Sequence, residues 1–81
     1  MPSDPYKPIA CGDYDIYEIA IMKQRLLRLE WEAAEGGFYK QIVTPLELKI
    51  VDSAEYLFYK KLDENLINKI RLDKIKSAVM V

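Results

Sequence analysis

Along this chain the spacing of apolar positions changes period once, near residue 26. Before that point Ile16, Ile19, Ala20 and Lys23 fall at the i, i+3, i+4, i+7 positions of one helix face, with Tyr17 and Ile21 beside them. Asp13 precedes this stripe in the position of an N-cap, because a short acceptor side chain there satisfies a first-turn N–H. The pattern predicts a helix over 13–25, entered from an extended segment bounded by Pro5 and Pro8 and a turn at Cys11-Gly12. The opposite stripe is Asp15, Glu18, Met22 and Arg25, which puts a methionine in solvent beside two acids.

After residue 26 the period becomes two. Leu27, Leu29, Trp31 and Ala33 alternate with Arg28, Glu30 and Glu32, which predicts a strand with Trp31 in the core. Glu35-Gly36-Gly37 has hairpin-turn chemistry, and a second strand returns over 38–43. Thr44-Pro45 is expected to interrupt it, since proline donates nothing to a ladder. The segment 46–52 reads equally as a bent continuation or a loop. A third strand is expected over 55–62 and a turn at Asp63-Glu64-Asn65. A fourth follows over 66–72, with Leu66, Ile70 and Leu72 on one face, then a short turn at Asp73-Lys74 and a closing strand over 75–81. One helix and about five short antiparallel strands read as a mainly β fold, a small barrel lidded by the helix. Closure spares so small a protein the unpaired edges of an open sheet.

Composition narrows the function classes. Eighty-one residues form one domain over 1–81, and a 51% hydrophobic share is enough for a core. A single cysteine forms no internal disulfide, and the N-terminal residues lack the features of a signal peptide, so the expectation is a cytoplasmic protein. Net charge is −1, but it is unevenly placed: residues 1–20 carry four acids against one lysine, and the remainder is net +2. Capping and solubility account for acids at a helix start as readily as a basic partner does.

The usual chemistry is missing. The chain has no histidine, so the commonest general base and metal ligand are absent. Cys11 has no histidine to activate it and reads as a buried or half-buried structural residue. Asp13 and Asp15 stand at an exposed helix start with nothing expected to raise either pKa, and no further carboxylate follows at a calcium-loop spacing. The reading is therefore no enzyme, no metal and no cofactor. Tyr56, Phe58 and Tyr59 beside Lys60 and Lys61 could form a base-stacking surface, but a strand with its aromatics in the core is the favoured reading.

Several stretches together carry a resemblance. Tyr6-x-Pro8-Ile9-x-Cys11-x-Asp13-Tyr14-Asp15, then Glu18-x-Ala20, later Glu55-Tyr56-Leu57 and the run Ile70-Arg71-Leu72-Asp73-Lys74-Ile75, resemble the Rof family of Rho-binding antiterminators of bacteria. The likeness spans residue 6 to about residue 77. It implies an Sm-like fold: an N-terminal helix on a strongly bent five-stranded antiparallel barrel. It also implies binding to the N-terminal part of the termination factor Rho, blocking its primary RNA-binding sites, with the protein a monomer when free. By resemblance the contacts fall on Asp13, Tyr14, Asp15 and Glu18, with a second region around Lys49 and Asp52 in the loop between the second and third strands. Two places depart from the family pattern: Gly12 stands where relatives carry a further acid, and residues 49–53 match poorly. The rival reading is an Sm-like protein that binds RNA itself. The acidic helix start argues against that, and no direct nucleic-acid binding is expected.

Overall fold

The computed structural model describes residues 5–33 and 35–81. An extended segment leads into helix α1 (Cys11–Met22), followed by strands β1 (Leu27–Glu32), β2 (Phe38–Val51), β3 (Ala54–Lys61), β4 (Ile67–Arg71) and β5 (Ile75–Met80). A 3₁₀ turn over Leu72–Lys74 joins the last two. All pairings are antiparallel, in one sheet of order β4-β3-β2-β1-β5. The expected mainly β architecture, five strands in a bent barrel-like sheet with one N-terminal helix, is the architecture observed.

The bend is built into β2. Its first half pairs with β1 as far as Val43, and from Val43 onward it pairs with β3. Thr44-Pro45 does not interrupt the strand, contrary to expectation. Pro45 lies just past the last β1 contact, so on that edge there is no ladder to lose. The register with β3 shifts between Pro45 and Glu47, a bulge that turns the strand. Segment 46–52 is thus the bent continuation. Its hairpin to β3 turns on Asp52 and Ser53, both left-handed at φ 51° and 67°, the backbone that a two-residue turn between twisted strands requires.

The helix starts at Cys11, earlier than expected, and Asp13 is not its cap. Ala10 holds the N-cap position, and its carbonyl accepts from the N–H groups of Asp13 (3.0 Å) and Tyr14 (3.1 Å). Cys11 and Gly12 are therefore the first helical residues rather than a turn, and Cys11 is exposed rather than buried. The helix also ends before residue 25. Gln24 turns left-handed at φ 55°, Gln24 N–H reaches the Ile21 carbonyl at 3.2 Å, and Arg25 N–H reaches that of Ala20 at 2.8 Å. These two bonds make a Schellman cap with glutamine where glycine is favoured.

Leu27, Leu29, Val43, Leu57 and Leu72 are fully buried, and Tyr17, Ala20 and Tyr59 complete the core. The helix face that meets it is rotated from the expected stripe. Tyr17 and Ala20 go in, Ile16 and Ile21 pack at the margin, and Ile19 is exposed. Burial pushes the Tyr17 phenol up to about 12, with Asp13 adding to it. Trp31 is half-buried against the core rather than inside it, its ring centroid 5.8 Å from that of Tyr39. Leu66 is exposed and precedes β4, so it does not share a face with Ile70 and Leu72. Met22 lies in solvent, as its place on the outer helix stripe requires.

Candidate functional site

Successive residues in a helix are about 100° apart. Asp15 and Glu18 therefore share a face, and Asp13 points roughly the opposite way. All three carboxylates are exposed, but the structure does not unite them. Asp15 borders a shallow recess of 240 Å³ with Ile9, Cys11, Tyr14 and Glu55. Glu18 borders the next, with Ile21, Met22, Glu47 and Leu48. Asp13 instead stands over β5, beside Tyr17, Leu72 and Lys76. Tyr14 lines the first of these recesses. Its phenol is raised chiefly by burial, then by the charges of Glu55 and Glu18.

The helix therefore shares its acidic face with the sheet. Glu55 on β3 and Glu47 on β2 extend Asp15 and Glu18 into a band of four carboxylates with Tyr14 and exposed Met22 among them. Glu47 and Glu55 were not marked by their surroundings in the chain. Glu55 lies within the Glu55-Tyr56-Leu57 run that supports the resemblance, but only the fold carries it against the helix. Asp52 is exposed at the hairpin tip that leads into Glu55. Lys49 lies within β2 rather than in a loop; its ammonium stands 5.4 Å above the Phe58 ring on the outer face of the sheet and 3.6 Å from the carboxylate of Glu47, which borders both surfaces.

The segment before the helix is tied down at two adjacent residues. The Tyr6 phenol donates to Glu55 Oε1 at 2.6 Å, and the Lys7 backbone N–H donates to Asp73 Oδ2 at 2.9 Å. Asp73 also accepts two hydrogen bonds from the Arg71 guanidinium, at 2.7 and 2.8 Å, a bidentate pair of the strong kind. Burial pushes the Asp73 carboxyl upward. The hydrogen bonds from Arg71 and Lys7, together with the Arg71 charge, outweigh this and hold it below its ordinary value. Arg71 in turn covers the Tyr6 ring at 5.8 Å. Tyr6, Arg71 and Asp73 all lie within the stretches that carry the resemblance, and here they fix the arm from which the helix springs.

Among the described residues no group of three His, Cys, Asp or Glu side chains is placed to hold a metal. No helix among them is long and apolar enough to cross a membrane. A recess of 450 Å³ between the N-terminal segment and the β1–β2 turn includes none of the residues expected to contact a partner. What the acidic band offers is an open surface of negative charge with an aromatic and a thioether at its centre, suited to a basic surface rather than to an enclosed small molecule.

No family model and no curated protein matches the chain. Among solved structures it is similar to proteasome accessory factor B/C (PafBC) of Arthrobacter aurescens, with a TM-score of 0.77 at 23% identity, over 91% of this chain and 12% of that one. The chain thus corresponds to a small part of that protein, and at this identity the likeness is one of fold.

Proposed function

We propose that the protein binds the transcription termination factor Rho through the acidic face of α1, occupies its primary RNA-binding region and so inhibits Rho-dependent termination. The residue pattern it shares with the Rof family supplies the partner. The observation that supports the contact is the state of the helix start. The N-cap is Ala10, no side chain caps the helix, and Asp15 and Glu18 stand exposed on one face. Capping therefore does not account for these acids. Of the three acids Asp13 alone lies in the first turn, so the helix dipole, which acts within that turn, does not account for Asp15 and Glu18 either.

A surface that binds RNA phosphates is positive, and a fixed band of carboxylates competes for it. Asp15, Glu18, Glu47 and Glu55 supply the charge in this reading, with Tyr14 and Met22 as the packing contacts. Asp13, over β5, and Lys49, on the outer sheet face, lie off this surface. Asp52 lies at its rim.

The test is a transcription assay on a template with a Rho-dependent terminator. Added protein should restore read-through in proportion to its concentration, and raising Rho should reverse the effect. Unchanged termination at a large excess of the protein over Rho would contradict the reading.

A further inference from the structure

The side of the sheet facing away from the core has the opposite character to the helix. Strand β3 alternates, so Leu57 and Tyr59 are core while Tyr56, Phe58 and Lys60 lie outward. The expectation that this aromatic run is core holds for Tyr59 alone. Across the ladders the outward rows read Lys49–Tyr56–Arg71, then Glu47–Phe58–Lys69, then Thr44–Lys60–Ile67. Two half-exposed rings thus sit inside a frame of four cations and one carboxylate. Lys49 stands over Phe58 at 5.4 Å and Lys69 over Tyr56 at 5.2 Å. Arg71 is held by Asp73 and Lys49 approaches Glu47, whereas Lys60 and Lys69 have no ion-pair partner among the described residues.

We propose that this outer face of β2, β3 and β4 binds single-stranded nucleic acid, with successive bases stacked on Tyr56 and Phe58 and phosphates held by Lys49, Lys60 and Lys69. Rings with cationic edges on an open sheet face are the elements such a platform needs, and stacking takes any base because every base has a π-face. The two rings are about 6.7 Å apart along the strand, roughly twice the stacked rise of a nucleic-acid strand, so the bound segment is stretched and its bases splayed. The lysines already poised over the rings swing aside to the phosphates, exchanging one cation contact for another. Charge complementarity selects the occupant: the helix face repels phosphate and this face attracts it. With few lysines engaged, binding is weak and salt-dependent. The two readings share Glu47, which borders both surfaces, but the residues tested here, Tyr56, Phe58 and Lys69, lie outside the acidic band.

The test is fluorescence anisotropy of a labelled oligo-uridine strand, about 12 nucleotides long, titrated with the full chain at low salt. Wild type should bind with a dissociation constant of about 10⁻⁴ to 10⁻⁵ M, weakening as salt rises. Phe58→Leu, which keeps an apolar side chain but removes the ring, should lose about tenfold, and Tyr56→Leu likewise. Lys69→Glu should weaken binding and flatten the salt dependence, and Asp15→Asn with Glu18→Gln should not weaken it. Melting curves of each variant establish that it is folded. Absence of binding by wild type overturns the proposal, as does undiminished binding by a folded Tyr56→Leu/Phe58→Leu double variant. Equal competition by oligo-glutamate also overturns it, because the face would then be a dock for acidic peptides. A deoxyuridine strand should bind comparably.

Discussion

The Tyr6 phenol donates a 2.6 Å hydrogen bond to Oε1 of Glu55, joining the segment before the helix to the start of β3. The same carboxylate borders the recess that contains Asp15 and Tyr14. One side chain thus both anchors the arm and shapes the acidic band. Burial, and then this hydrogen bond, push the Tyr6 phenol well above its ordinary value, so it stays a neutral donor across the physiological range. Tyr6→Phe should cost about 1 kcal/mol, or about 4–8 °C in Tm for a domain of this size. Because the phenol ionises more easily unfolded than folded, wild-type stability should fall as pH rises past about 10, and the Phe variant should show a shallower fall, keeping the part due to Tyr17 and Tyr14. Thermal melts across pH check both.

Asp73 makes a second prediction with the opposite pH sense. Its folded pKa is depressed, so its contribution is full above the ordinary carboxylate pKa and is lost as pH falls through the lowered one. Asp73→Asn should therefore lower Tm at about pH 7, and the gap to wild type should narrow by about pH 3. A gap that does not change with pH would show that the Arg71 pair contributes through shape rather than charge.

The left-handed Gln24 at the helix end is a site for improvement. A non-glycine residue there costs about 1 kcal/mol. Gln24→Gly should recover most of it and raise Tm by about 4–8 °C. A lower Tm would mean that the glutamine side chain makes a contact worth more than the strain.

Much of this fold was legible in the sequence, and the failures have physical causes. The period change near residue 26 located the helix and the sheet, because helix and strand periodicities differ whatever packs against them. Pro45 was misread because its tolerance depends on β1 ending at Val43, a fact of topology that local rules do not contain. Segment 46–52 reads equally as strand or loop in the sequence because the β2–β3 turn at Asp52-Ser53 adopts backbone angles usually marked by Asn-Gly. Alternation placed Trp31 on the inward side correctly, but it could not say that this inward position is only half-buried. Trp31→Ala should accordingly cost about 2 kcal/mol, against about 3–5 for a fully buried tryptophan. A urea titration would measure the difference. The acidic site was half legible: Asp15, Tyr14 and Glu18 are local in sequence, whereas Glu47 and Glu55 join them only through folding.

The central claim, that the acidic helix face binds Rho, is tested most directly by calorimetric titration of Rho with wild type, Asp15→Asn/Glu18→Gln and Asp13→Asn. Asp15 and Glu18 are exposed and lie past the first helical turn, so neutralising them should cost at most about 0.5 kcal/mol each and the variant should stay folded. Its affinity for Rho should fall at least about tenfold, or ~1.4 kcal/mol, through lost charge-assisted contacts. Asp13→Asn, on the other side of the helix, should bind nearly as wild type does. A folded double variant that binds Rho as tightly as wild type would contradict the account.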